Sequence, residues 1–289
     1  MLTAFLLAGQ PMTDTNLATL LVLISAFMHA SWNAVVKSSN DRLSSMAAVD
    51  GVAFVVALIA VPFVELPTLA VWGLIVLSAV VNLFYRYFLI RAYHFGDFGQ
   101  VYPLVRGLPP LLVVVFAACW LGESLSLLGM VGVVILSLGV LSLLRVTEQW
   151  HAPRNALAAG VCVALYTVID AQGVRSSQGV LSYLVYFTLV LSVPIPIFAA
   201  RRHGQALRLH LREHWRLSLF GGLTYCSAYA LVLWAMTLDH VAKIAALRES
   251  SVIIGAVIAT LLFKEPFGRR RLTAAVTVTL GIVLIKSAA

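Results

Sequence analysis

Charge is what this sequence has least of: 11% of its 289 residues are Asp, Glu, Lys or Arg, against 61% that are apolar. Soluble domains carry about a quarter charged residues, so a water-soluble globule is excluded. Acidic residues are the scarcer sign, 12 against 20 basic, and no aspartate-rich metal motif occurs. The three cysteines, Cys119, Cys162 and Cys226, lie inside apolar stretches without ligand spacing and are odd in number. They read as small core residues, not as a disulfide framework or a metal site. No metal and no cofactor are expected. The apolar run 2–8 is short and has no basic residue before it, unlike a secretory signal, and residues 1–15 are expected to form an N-terminal tail. The formal charge of +8 does not point to nucleic acid, because the basic residues sit in short gaps between apolar runs, where they act as topology signals.

What the sequence has in quantity is apolar runs long enough to cross a bilayer, which takes about 20 residues per helix. Spans are expected near 16–36, 44–64, 69–91, 98–121, 125–144, 155–174, 180–200, 216–238, 241–263 and 271–287. The expected fold class is therefore all-α integral membrane, with ten transmembrane helices. Gaps after odd-numbered spans hold Lys37, Arg42, Arg91, Arg145, Arg154, the run Arg201 to Arg216, and Lys264 to Arg271. The positive-inside rule makes that side cytoplasmic and places both termini outside. The segment Arg201 to Arg216 is expected to meet anionic lipid at the cytoplasmic face.

Sliding the chain on itself reveals a duplication. Arg106 pairs with Arg248, Glu123 with Glu265 and Gly139 with Gly281 at a common offset of 142 (248 − 106, 265 − 123, 281 − 139). A weaker match pairs residues 26–37 with 164–175 at an offset of 138 (164 − 26). The expected units are 16–146 and 147–289, five helices each. An odd number of spans per unit forces the second to enter the membrane from the opposite side, so the repeat is inverted. That symmetry suits secondary transporters, whose halves repack around a midplane site.

With the repeat aligned, Leu121-Gly122-Glu123 followed by Gly129 and Gly139 resembles the signature of EamA-type drug/metabolite transporters. The second copy reads Lys264-Glu265-Pro266 where the first has Gly-Glu. His29-Ala30-Ser31-Trp32-Asn33 with Lys37, Val101-Tyr102-Pro103-Leu104-Val105-Arg106-Gly107, and Ala246-Leu247-Arg248-Glu249 resemble the subgroup associated with bacterial phosphonate-utilisation genes. The resemblance implies a multi-pass protein of a bacterial inner membrane that moves a small-molecule solute. Relatives that carry phosphorylated sugars use basic residues from the corresponding helices, which the resemblance carries to Arg106 and Arg248.

The candidate solute site starts from those two arginines. Each lies about 10–13 Å into its span at 1.5 Å per residue, where an arginine costs on the order of 3 kcal/mol unless paired or facing water. Two readings stand: a clamp on an anionic group, which guanidinium forks match bidentately, or arginines neutralised by a carboxylate such as Glu249 or Asp170. Glu249 cannot face Arg248 squarely, being adjacent on a helix. Pro109 and Pro110 release carbonyls near Val105 and Arg106 and are expected to kink the fourth span.

His29 shares helical spacing with Trp32 and Asn33 and joins the candidates, as do Tyr102 and Tyr166, although these two tyrosines, like Tyr225 and Tyr229, read more readily as packing or interfacial aromatics than as ligands. Asp170 is the coupling candidate for protons, or else an arginine's partner or a residue exposed near the outer mouth. Glu123 and Glu265 read as structural caps before tight turns. A membrane enzyme acting on a lipid phosphate, a lipid-head-group flippase, an amino-acid or drug exporter and an assembly subunit are the alternative functions. No nucleophile with a base accompanies the arginines, and the chain is expected not to be an enzyme. Its expected partners are a solute, protons and membrane lipid, in a monomer or homodimer.

Overall fold

The computed structural model describes residues 14–95, 98–144, 151–263 and 268–288, and every regular element among them is helical. In chain order the helices are α1 (Asp14–Ser38), α2 (Arg42–Ala60, followed by a 3₁₀ turn Val61–Phe63), α3 (Leu69–Phe95), α4 (Phe98–Leu121), α5 (Leu127–Leu141) and α6 (His151–Ser176). Then come α7 (Val180–Leu191), α8 (Pro194–Glu213), α9 (Trp215–Leu238), α10 (Val241–Arg248), α11 (Ser250–Phe263) and α12 (Arg269–Ser287). Seven segments are long and apolar enough to span a bilayer, with α7 and α8 counting as one, and two further apolar helices, α5 and most of α12, are shorter.

The ends of these helices gather on two faces. On one, Ser182 Oγ donates to Glu65 O at 2.6 Å, Ser126 Oγ donates to Ala288 O at 3.4 Å, and Arg175 reaches Glu123, Met236 and Asp239. On the other, the rings of Phe95 and His151 lie 5.5 Å apart, and Ala47 packs with Ala199 and Leu207. Helix α1 therefore begins at the face where α6 ends, so the first helices of the two halves run in opposite directions. Packing follows the same symmetry: α3 lies on α6 as α9 lies on α1, α4 lies on α6 as α10 and α11 lie on α1, and α5 packs on α12.

Close approach of α5 and α12 depends on glycine. A Cβ added at Gly281 would lie 2.7 Å from Leu136 N and 2.8 Å from Gly132 O, and one at Gly132 would lie 2.9 Å from Ile285 N. Small residues let membrane helices touch backbone to backbone, where dispersion substitutes for the missing hydrophobic drive. Among the described residues Gly122 is the one glycine in the left-handed region, with φ 68°. It ends α4 and turns the Glu123 N–H onto Ala117 O at 3.2 Å.

Two expectations are corrected. Helix α4 runs as one helix through Pro103, Pro109 and Pro110, so it is not broken beside Arg106. Proline φ is compatible with helix, and both Pro109 and Pro110 are buried. The break lies instead in the ninth span, between α10 and α11 at Glu249, where the Glu249 and Val252 N–H groups donate to Ala246 O and Glu249 O, three residues back. Second, most of the basic stretch read as a gap is helical: α8 carries on to Glu213 past a non-helical His203. Glu265 and its turn lie outside the described residues.

Two measurements test this packing. Gly281→Ala should destabilise the purified protein by roughly 1–3 kcal/mol through overpacking, read as a lower unfolding temperature, while Gly73→Ala, with nothing within 4 Å, should not lower it. Asp41 caps α2, accepting from Leu43 N and Ser44 N at 3.1 Å each. The Ser44 hydroxyl and then its backbone N–H hold this carboxyl below its ordinary range. Its stabilising effect is complete above the unfolded value, about pH 4, and is lost as pH falls through the depressed native one. Asp41→Ala should cost about 1 kcal/mol at neutral pH, with the gap to wild type closing in strong acid.

Candidate functional site

Helices α1, α4 and α6 and the α10–α11 break bring most of the sequence-derived candidates together. Arg106 on α4 is the hub: Nη1 lies 3.5 Å from Glu249 Oε1, Nη2 lies 2.6 Å from His29 Nε2, and the guanidinium sits 5.9 Å from the Tyr102 ring centre. Arg106 belongs to the first half and Glu249 to the second, so the ion pair crosses the interface between them. The side chains are buried, Arg106 to 16% exposure and Glu249 to 3%. Geometry explains the partner choice. Glu249 follows Arg248 directly and points away from it, while the break turns its carboxylate toward α4.

Arg248 is itself buried. Tyr166 on α6 is its hydrogen-bonding neighbour, and Arg106 is close enough for the two cations to repel. Tyr166 also meets Tyr85 of α3 edge-on at 5.9 Å. Arg248 Nε has no hydrogen-bond acceptor among the described residues.

His29 is over-supplied with donors. Arg106 faces its Nε2, and the Trp32 indole N–H faces its Nδ1 at 3.3 Å. A neutral imidazole offers one lone pair and a protonated one offers none, so at least one of these N–H groups lacks a true acceptor. Trp32 in turn packs edge-on against Tyr225 of α9, with ring centres 5.5 Å apart. Asn33 does not join the cluster: it is exposed, and its amide donates to the His29 carbonyl on its own helix at 2.7 Å.

Asp170 forms a separate centre on α6. Its carboxylate accepts from Ser78 of α3 at 2.5 Å, from Tyr183 of α7 at 2.7 Å, and from Tyr229 of α9. No arginine contacts it among the described residues, contrary to the salt bridge weighed from the sequence, although the Arg248 charge acts on it from a distance. Hydroxyls take the role expected of a cation. Gly173, one turn along α6, leaves room for the Tyr183 ring, which a Cβ there would overlap. Tyr229, read as packing, is thus a polar ligand of Asp170.

Glu123 is a tie between elements. Its Oε1 meets Arg175 Nη1 at 2.5 Å and its Oε2 accepts the Val241 N–H at 2.7 Å, closing the start of α10. Arg175 also donates to Met236 O at 2.8 Å and Asp239 O at 3.1 Å. Both halves are thereby latched together at one face, over the larger of the apolar cores.

Sequence reasoning overlooked Asp50 on α2 and Arg86 on α3, which form a buried ion pair at 3.1 Å. The signal was there, since both fall within apolar spans, where the cost of charge makes any ionisable residue a candidate. Among the described residues no cluster of three or more His, Cys, Asp or Glu could hold a metal. An apolar groove of about 400 Å³, lined by Phe116, Cys119, Trp120 and Leu165, involves neither arginine.

The EamA-like transporter family matches twice along the chain, over residues 16–145 and 155–287. Among solved structures 29 chains match. One, titled "Crystal structure of protein", aligns over 94% of this chain and 96% of its own, with a TM-score of 0.67 and 17% identity. At that identity the likeness shows the fold alone. Among curated proteins none matches. Two matched copies of the same family cover nearly all of a helical chain with bilayer-length spans, and the protein is a membrane protein belonging to the EamA-like transporter family.

Proposed function

We propose that the protein is a secondary transporter of a small polar organic anion, working by alternating access, with Arg106 and Arg248 holding the anionic group. The observation that carries this reading is the surplus of buried donors at the junction of the halves. Arg106 takes the one carboxylate at the junction, Arg248 Nε has no acceptor among the described residues, and His29 has donors on both ring nitrogens. In a low-dielectric chamber such donors favour an oxyanion strongly, and the guanidinium fork matches a carboxylate, phosphate or phosphonate. Arg106, Arg248, Glu249, His29, Trp32, Tyr102 and Tyr166 are the proposed solute contacts.

The ten-span count supports this assignment when α7 with the start of α8, and α10 with α11, are each taken as one crossing. The proposed placement is a bacterial inner membrane with both termini outside, for which the basic gaps argue. The face latched by Glu123 and Arg175 is then the outer one. In this conformation the outer half is packed around the main core, and rocking of one half against the other would break the latch and expose the arginines outward.

Asp170 is the proposed proton carrier. Ser78, Tyr183, Tyr229 and the more distant Arg248 are the polar groups facing it, so it can gain or lose a proton without breaking a direct ion pair. Asp170→Asn should leave solute binding intact while abolishing the response of uptake in proteoliposomes to an imposed pH gradient. A mutant that still responds to the gradient would remove Asp170 from this role.

The clamp is tested by thermal shift of the purified protein with methylphosphonate, glycerol phosphate, propionate and inorganic phosphate. At least one is expected to raise the unfolding temperature of wild type and of Arg106→Lys, which keeps the charge facing Glu249. Arg248→Ala should reduce the affinity by about 2 kcal/mol, a factor near 30. Unchanged shifts in Arg248→Ala, or no shift with any anion, would overturn the clamp.

A further inference from the structure

The duplication makes α1 the counterpart of α6, α2 of α7 and α3 of α9, yet the packing does not treat these counterparts alike. Helices α6 and α7 both lie on α9, whereas α1 and α2 do not pack on α3 among the described residues. Side chains complete the closure around α9. Tyr229 of α9 donates to Asp170 of α6 and stacks on Phe187 of α7 with ring centres 5.4 Å apart. Halves that are equivalent in sequence but packed differently occupy one of two alternative arrangements. In this one the side of Glu123 and Arg175 is shut, and the side where Phe95 meets His151 is parted between α3 and the pair α1 and α2.

The buried ion pair overlooked in the sequence crosses that parting. Arg86 of α3 reaches Asp50 of α2 at 3.1 Å although the two helices do not pack, because the long arginine side chain bridges the space. Each partner leans on a different wall. Helix α2 rests on α9, where a Cβ added at Gly221 would lie 2.9 Å from Val49 Cγ2 and one at Gly222 would lie 3.1 Å from Val49 O, and α3 rests on α6. The pair also borders the arginine cluster: Tyr225 of α9 lies within reach of both charges and meets Trp32 edge-on, and Trp32 meets His29. It has no equivalent on the shut side. The offsets of 138 and 142 assign positions 188–192 to Asp50 (188 − 50, 192 − 50) and 224–228 to Arg86 (224 − 86, 228 − 86), and neither stretch holds a charged residue. One side is thus closed by rings and hydroxyls, and the other is spanned by charge.

We propose that Asp50 and Arg86 form a strap across the mouth on the Phe95 and His151 side. It limits how far α2 and α3 part in this conformation, and it is the contact on which they close when the solute path opens to the other face, as α7 closes on α9 here. Charge suits that task. Dispersion between apolar side chains vanishes once they lose contact, whereas opposite charges in a medium of low dielectric still attract across a gap. Parting the helices further would strand two charges at membrane depth. Asp50 and Arg86 are positioning residues in this scheme. The inference rests on the alternating-access part of the proposed function and not on which solute the arginines hold.

Spin-label distances measured on the full chain in nanodiscs, with Cys119, Cys162 and Cys226 replaced by serine, test the strap. Labels at Asn40→Cys, in the turn before α2, and His94→Cys, in the last turn of α3, report the parted mouth. Labels at Gln178→Cys, before α7, and Thr237→Cys, in the last turn of α9, report the shut one. Asp50→Asn combined with Arg86→Gln leaves no orphaned charge and is expected to move the first distribution to longer distances without lengthening the second. Asp50→Arg combined with Arg86→Asp retains an opposite pair and is expected to return the first distribution to that of wild type, a rescue that loss of packing alone would not show. An unchanged first distribution in the neutral pair of substitutions, lengthening of equal size at both mouths, or a folded charge swap that keeps the long distances would overturn the strap and leave the anion clamp standing. One fixed distribution at both mouths in wild type and every variant would overturn the strap together with alternating access.

Discussion

Within the hydrocarbon core of a membrane no water is available to complete a hydrogen bond or screen a charge, and a polar group left alone there costs several kcal/mol. The Arg106–Glu249 ion pair is the clearest consequence in this protein. Each partner is intolerable by itself at that depth, and neither has a carboxylate or guanidinium on its own helix positioned to serve it. Each finds the other only when the two halves meet. The pair fixes where α4 lies relative to the α10–α11 break, and so where His29, Trp32, Tyr102 and Tyr166 converge.

The same constraint distributes the remaining polar groups. Asp50 takes Arg86, Asp170 takes three hydroxyls, and Glu123 takes Arg175 together with the Val241 N–H. Apolar packing, by contrast, supplies little discrimination between helices when the surrounding lipid is as apolar as the side chains. Glycine contacts between α5 and α12 and polar contacts near the centre therefore decide which helices are neighbours. The longest departure from this rule among the described residues is the stretch from Arg248 to Ser251, where burial coexists with unpaired polar atoms. A transporter needs such a place, because a site satisfied entirely by its own chain has nothing left to offer a solute, and the reward for binding is the completion of those bonds.

Much of the architecture was legible in the amino-acid order. Apolar runs of bilayer length, basic gaps on alternate sides and the 142-residue offset of Arg106 and Arg248 identify a duplicated membrane protein without any coordinates. The motif around Leu121-Gly122-Glu123 pointed to the family that matches both halves. Less legible was the pairing. Pro109 and Pro110 argued for a break in α4, yet the helix continues and the interruption falls at Glu249, a residue with no helix-breaking chemistry of its own. Asp170 offered a choice between an arginine and a proton, and three hydroxyls from three other helices were not among the choices. Asp50 and Arg86 were overlooked although the rule that singled out Arg106 applies to them equally.

Helix existence, membrane residence and the duplication follow from local and periodic properties, namely the hydropathy of twenty-residue windows and the 142-residue offset between the halves, and the sequence alone determined them. The identity of each buried charge's partner depends on which faces of separate helices come together after insertion, and residues 77 apart, such as His29 and Arg106, or 143 apart, such as Arg106 and Glu249 (249 − 106), carry no mark of one another in the chain. Only the tertiary structure decided those pairings, and with them which polar atoms remain unpaired for a solute to use.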